Sequence, residues 1–201
     1  MAPKLPALGM HSLIVSLPDF DLPDLVPACE VLWQEGIRVW TVSVDRIDNL
    51  PELLRLFGRR AKLGVHGVME PEQVRSAATA GALFAACDFL RPQLVDATPE
   101  LPVILGGMTP TELLAGLDAG AAAVQLVPSD AFGSSLARSL PRLLPPDCLI
   151  ANGRMEPYQG DLWKEHGALG VWPQDVVTTD LVLAESLDGL RVKLQKWRLG
   201  E

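Results

Sequence analysis

Polar residues and glycines recur at the ends of short apolar runs along this 201-residue chain. Side chains such as His66 and Asp88 could transfer protons or bind a metal, and an amide such as Gln125 could polarise a carbonyl group. Glycines in the same places expose backbone N–H groups, which bind anions. The positions concerned are Ser16, Thr41, Ser43, Asp45, His66, Cys87, Asp88, Gly106, Gly107, Gln125, Ser129, Asn152, Gly153 and Gly170.

No catalytic motif connects these residues. The three histidines lie on separate predicted elements and lack the spacing of metal ligands. One interpretation groups His66 with Asp45 and Asp88 around a divalent ion, and the other leaves them as hydrogen-bonded residues at strand ends. We predict neither a metal nor a cofactor. Cys87 has no base beside it in the sequence, so we interpret it as a buried side chain rather than a nucleophile.

The elements that position these residues alternate between strand and helix. The runs 37–44 and 101–107 predict strands, whereas 109–120 predicts a helix with Thr109 as its N-cap and Glu112 placed for a capping box. Eight such strand–helix units within one domain, residues 1–201, predict an α/β fold of the (β/α)8 TIM-barrel type. An open doubly wound sheet is the alternative, although no dinucleotide or Walker motif supports a nucleotide-binding version.

The sequence also predicts two further helices of this barrel and the position of its site. The segment 90–98 predicts a short helix, and 178–200 predicts a long final helix interrupted near Gly189. The site of such a barrel lies at the carboxyl ends of its strands, where the turns at Gly153 and Gly170 could bind phosphate. Lys62 opens the third strand and is therefore expected at the opposite end.

The composition and net charge of the chain limit the classes of molecule that it could bind and the compartment in which it could work. Acidic residues outnumber basic ones by 25 to 17, and this net charge of −8 argues against nucleic acid or an anionic membrane as partner. No apolar run is long enough to cross a membrane. The three cysteines are far apart and form no C-x-x-C motif, which favours a reducing, cytoplasmic location.

Four segments resemble the 2-keto-3-deoxy-6-phosphogluconate / 4-hydroxy-2-oxoglutarate (KDPG/KHG) aldolases. They are "EGIRVWTVSV" (35–44), "LGVHGVMEPEQVRSAATAGALFAA" (63–86), "PVILGGMTPTELLAGLDAGA" (102–121) and "VQLVPSD" (124–130). The resemblance implies a class I aldolase-like barrel, usually a homotrimer, that needs no metal. In that family a lysine on strand 6 forms a Schiff base with a keto acid, a glutamate on strand 2 moves protons, and the turns after strands 7 and 8 hold phosphate.

The chain departs from the family pattern where that chemistry lies. Gln125 stands at the lysine position and Thr41 at the glutamate position. An amide nitrogen is not a usable nucleophile for imine formation, and a hydroxyl group is a poor general base near neutral pH. The substrate-binding residues implied by the resemblance are Gln125, Thr41, Gly107 and Asn152. The phosphate-binding residues implied by it are Asn152, Gly153, Gly170 and Val171.

We therefore predict a pseudoenzyme of this family that has lost Schiff-base cleavage and binds a small keto acid or a phosphorylated ligand. One alternative is a lyase that cleaves a 2-keto-3-deoxy sugar acid or a 4-hydroxy-2-oxo acid to pyruvate and an aldehyde by another route. His66 is then the candidate proton-transfer residue. If Gly67 faces the barrel, side-chain alternation turns His66 toward the helices, whereas local curl at the strand end would reverse this orientation. A non-catalytic oligomeric interaction protein, such as a homotrimer, is the other alternative.

Overall fold

The computed structural model describes Leu5, Leu8, Gly9 and residues 12–198, so His11 and the start of the strand predicted over 11–17 lie outside the described residues. Eight parallel strands pair in chain order, and the last pairs with the first, which closes a barrel. The predicted (β/α)8 barrel is thereby confirmed. The strands are β1 (Ser12–Ser16), β2 (Val39–Ser43), β3 (Lys62–His66), β4 (Ala85–Cys87), β5 (Val103–Gly107), β6 (Ala123–Leu126), β7 (Leu149–Gly153) and β8 (Gly170–Pro173).

Helices alternate with the strands, and their buried residues pack in one core cluster with outward-facing side chains of the strands. The helices are α1 (Leu22–Gln34), α2 (Leu50–Phe57), α3 (Pro71–Thr79), α4 (Pro110–Asp118), α5 (Gly133–Ser139), α6 (Pro157–Glu165), α7 (Thr179–Val182) and α8 (Asp188–Lys196). The Thr109 capping box is confirmed, because Glu112 N donates to Thr109 Oγ1 and Thr109 N donates to Glu112 Oε2. None of the helices in the described part of the chain is long and apolar enough to span a membrane.

One helix prediction is refined and another needs correction. The short helix predicted over 90–98 is a 3-10 helix over Pro92–Ala97. The predicted helix over 178–200 is interrupted at 183–187, before Gly189, which lies inside α8. Ser186 explains the position of this break, since its hydroxyl oxygen accepts a hydrogen bond from Asp188 N and so competes with helical pairing.

The barrel interior has an apolar half toward the amino ends of the strands. A separate core cluster fills it, and the Phe84 ring lies so close to β3 that a Cβ on Gly64 would be 2.5 Å from it. Glycine at position 64 therefore makes room for the phenylalanine. The cluster comprises Leu5, Leu8, Ile14, Val39, Phe84, Ala86, Ile104, Ala123, Ile150, Leu169 and Trp172.

Candidate functional site

A cavity of about 440 Å³ opens at the carboxyl ends of the strands, above the apolar half of the barrel. Its wall combines polar residues of β1, β3, β7 and β8 with the loop that follows β8. The lining residues are Ser16, Leu17, Pro18, His66, Asp88, Asn152, Trp172, Pro173, Gln174, Asp175, Val177, Thr178, Thr179 and Asp180.

Gln125 lies fully buried on β6 and is the centre of an amide network with Asp88, Asn152 and Gln174. Its Nε2 donates to the backbone oxygen of Cys87 at 2.9 Å and to Asp88 Oδ1 at 3.0 Å, and its Oε1 accepts from Asn152 Nδ2 at 2.8 Å. Gln174 Nε2 in turn donates to Asn152 Oδ1 at 3.4 Å. Both amide protons of Gln125 are thus in use, and the residue orients two side chains that line the cavity.

A second network, the imidazole network, joins Ser16, Thr41, His66 and Trp172. Thr41 Oγ1 donates to Ser16 Oγ at 3.3 Å, and Trp172 Nε1 donates to the same oxygen at 2.9 Å. His66 Nδ1 lies 2.9 Å from Thr41 Oγ1, and the direction of this hydrogen bond depends on the tautomer of the imidazole. His66 Nε2 is an acceptor in the tautomer that carries its proton on Nδ1.

Burial governs the protonation of both networks. It lowers the pKa of His66, although the carboxylates of Asp19 and Asp45 act in the opposite direction. The imidazole is therefore neutral near pH 7. Burial also raises the pKa of Asp88, against the effect of the hydrogen bond from Gln125. The pKa of Cys87 is raised mainly by burial, so its thiol stays protonated, in agreement with its interpretation as a buried side chain.

Of the residues expected to bind substrate, Asn152 lines the cavity directly. Thr41 and Gln125 lie fully buried and hold residues that line it. Gly107 ends β5 on the side of α4, where a Cβ would come within 2.8 Å of the Cβ of Glu112.

The residues expected to bind phosphate are divided between two sides of the barrel wall. A Cβ on Gly170 would be 2.8 Å from the backbone oxygen of Ser12, and a Cβ on Gly153 would be 2.3 Å from Asp130 Oδ1. The Val171 side chain belongs to the core between strands and helices. In the turn after Gly153, Arg154 N already donates to Asp130 Oδ1 at 3.0 Å.

Of the two orientations considered for His66, the structure shows the inward one. The imidazole contacts Thr41 and lies edge-on to the Trp172 ring, 6.2 Å between centroids, so it faces the cavity rather than the helices. Gly67 has a φ of 78°, in the left-handed region, and lies beyond the end of β3. Strand alternation therefore stops at His66 and cannot be counted from Gly67.

Sequence reasoning missed Trp172 and Gln174 as site residues. Alternation along β8 could have found Trp172, since it lies two residues after Gly170. Among the residues that the structure describes, no three His, Cys, Asp or Glu side chains are grouped as metal ligands. His66, Asp45 and Asp88 thus do not form the predicted alternative metal site.

The sequence profile of the KDPG and KHG aldolases matches residues 11–145. The chain belongs to this aldolase family. The 2-dehydro-3-deoxy-6-phosphogalactonate aldolase of Escherichia coli is 29% identical over 125 residues, which cover 61% of this chain and 61% of that protein. The 2-dehydro-3-deoxy-phosphogluconate aldolase of Dickeya dadantii is 32% identical over 117 residues, 56% of this chain and 54% of that protein. The matches thus span less than two thirds of these family members.

Solved structures of the family have the same fold. A native KDPGal structure superimposes with a TM-score of 0.82 at 22% identity, covering 92% of this chain and 91% of that one. The KDPG aldolase of Legionella pneumophila, with pyruvate captured as a covalent carbinolamine, gives a TM-score of 0.78 at 20% identity and covers 98% and 96% of the two chains.

Proposed function

We propose that this KDPG/KHG aldolase-family barrel has lost Schiff-base aldol cleavage and keeps the cavity at the carboxyl ends of its strands for a small ligand. In this proposal Gln125 stands in place of the Schiff-base lysine and Thr41 in place of the proton-transferring glutamate. One observation carries it: a buried amide on β6, with both Nε2 protons in hydrogen bonds, where a nucleophile would be needed. An amide nitrogen cannot add to a keto group to form an imine.

The lysines among the described residues support the same conclusion, because none of them lines the cavity. Lys62 begins β3 at the amino end of the barrel, and Lys164 lies in α6 with its Nζ 3.6 Å from Asp161. Lys193 donates to the backbone oxygen of Asp175 and lines, with Lys196, a separate cavity of about 510 Å³. A nucleophilic lysine is therefore missing from the cavity wall as far as the structure describes it.

The identity of the ligand and the oligomeric state are predictions. A keto acid or a phosphorylated compound is the ligand that the family resemblance implies, and a homotrimer is the assembly it implies. A lyase reaction without a Schiff base is the alternative, and the inward orientation of His66 favours it, since the imidazole lines the cavity. Such a reaction would use the neutral imidazole as its base.

Trapping with pyruvate and sodium borohydride tests the proposal. We expect no increase in the intact mass of this protein, whereas the Legionella pneumophila enzyme, treated in parallel, should gain a reduced pyruvate adduct. Peptide mapping would assign any adduct to a residue. A stoichiometric adduct on a lysine of this chain that disappears when the same lysine is changed to arginine would overturn the proposal.

A further inference from the structure

Three side chains of the amide network form a row from the barrel interior to the wall of the cavity at the carboxyl ends of the strands. Gln125 is fully buried, Asn152 is 4% exposed and lines the cavity, and Gln174 is exposed and lines it as well. The oxygen and nitrogen of an amide differ little in shape, so shape alone does not decide which way it points. The direction of each amide follows instead from what its neighbour can donate or accept.

A backbone group fixes the direction of the Gln125 amide. The carbonyl oxygen of Cys87 accepts hydrogen bonds and cannot donate them, so the Gln125 atom that lies 2.9 Å from it must be Nε2. Asp88 Oδ1 lies 3.0 Å from the same nitrogen. Because a backbone carbonyl does not titrate, this direction is the same whether Asp88 is ionised or protonated.

The direction of the Asn152 amide follows from that of Gln125. With Nε2 turned to Cys87, Gln125 Oε1 is free to accept, and the Asn152 atom 2.8 Å from it must be the donor Nδ2. Asn152 Oδ1 is then the acceptor for Gln174 Nε2, 3.4 Å away. One backbone carbonyl thus sets the direction of the whole row.

The residue type at position 125 decides which way the row runs. A glutamine amide both donates and accepts, whereas a lysine ammonium group has three donors and no acceptor. A lysine at this position would offer Asn152 only N–H groups, so Asn152 would turn its Oδ1 inward and its Nδ2 toward Gln174. Glutamine therefore makes the outer atom of the Asn152 amide an acceptor, where lysine would make it a donor.

We propose that Gln125 is a positioning residue of this cavity, which holds Asn152 with its Nδ2 turned inward and its Oδ1 turned toward Gln174 in the cavity wall. A ligand group that reaches Asn152 from that side meets an acceptor, so it has to donate a hydrogen bond, as a hydroxyl or an N–H group does. The inference rests on the proposed function, because it concerns the cavity that the proposal keeps for a ligand.

Solvent exchange of the Asn152 side-chain amide protons tests the inference. NMR on isotope-labelled protein follows these protons, and the Asn152→Asp variant assigns them. We expect the proton that Asn152 donates to Gln125 to be protected in the unsubstituted protein. Gln125→Met removes its acceptor and Gln125→Lys turns the amide around, so each should accelerate the exchange by about tenfold, the effect of about one hydrogen bond.

Gln125→Glu is the rescue variant. A carboxyl group keeps an acceptor oxygen for Asn152 Nδ2 in either protonation state, so the protection should be retained. Gln93→Met is the matched control, because Gln93 is exposed in the 3-10 helix Pro92–Ala97, and it should leave the exchange unchanged.

Three results would overturn the inference. The first is equal protection of Asn152 in Gln125→Met, Gln125→Lys and the unsubstituted protein, and the second is loss of protection in Gln125→Glu. The third is an equal acceleration at the backbone amide of Val124, which donates to the backbone oxygen of Cys148 beside the network, since the effect is then one of overall stability. These results concern the direction of the amides, whereas a borohydride-trapped lysine adduct would overturn the proposed function, so the two failures are distinguishable.

Discussion

The two halves of the barrel interior are built from different chemistry. Toward the amino ends of the strands, apolar side chains around Phe84 fill the space. Toward the carboxyl ends, the amide network around Gln125 and the imidazole network around His66 surround an open cavity. The first half can only stabilise the barrel, whereas the second exchanges packing for hydrogen-bonding groups that a ligand can reach.

We expect the largest loss of stability from a substitution in the apolar half of the barrel interior. Phe84→Ala removes a fully buried ring and leaves a void above Gly64, and we expect the free energy of unfolding to fall by about 3–5 kcal/mol in urea denaturation. Phe89→Ala is the matched control, because the Phe89 side chain is exposed. If the two variants lowered the free energy of unfolding equally, the apolar half would not be the part that stabilises the barrel.

A smaller loss is expected from the amide network. Gln125→Leu keeps a similar volume but deprives Asn152 Nδ2 and the Cys87 carbonyl of their partners, which should lower the free energy of unfolding by about 1–3 kcal/mol. Gln93→Leu, at an exposed position in the 3-10 turn Pro92–Ala97, serves as control. If Gln125→Leu stabilised the protein, the amide would be retained for a ligand and not for the fold.

The imidazole network should produce the smallest effect, visible only in the pH dependence. The pKa of His66 is lowered in the folded state, so below its ordinary value of about 6.5 the unfolded chain binds a proton that the folded one does not. The stabilising contribution of the neutral imidazole is complete above that pH and is lost as the pH falls.

Urea denaturation from pH 7.5 to 5 measures this effect. His66→Gln should flatten the decline relative to the unsubstituted protein, by less than about 1.4 kcal/mol per pH unit. His166→Gln provides the control substitution. The carboxylates of Asp19 and Asp45 act on His66 against the effect of burial, so their replacement by asparagine should make the decline steeper. If His66→Gln left the pH profile unchanged, a group other than His66 would be responsible for the pH dependence of stability.

The sequence predicted the outer layers of the molecule better than its cavity. The Thr109 capping box and the alternating runs rest on local chemistry, and both are found in the structure. The orientation of His66 depends on where β3 ends, and the break in the final helix depends on a hydrogen bond of Ser186. The hydrogen bond between Gln125 and Asp88 joins residues 37 positions apart in the chain, which no local pattern records.

The hydrogen bond between Gln125 and Asp88 determines what a lysine at position 125 would meet. A single change of Gln125 to lysine would put an ammonium group beside the Asp88 carboxylate, at the place where the amide now donates. That ion pair raises the pKa of the lysine and keeps it protonated, so it could not attack a keto group. A Schiff-base lysine at position 125 would therefore also require a substitution at position 88, so the hydrogen bond couples these two positions.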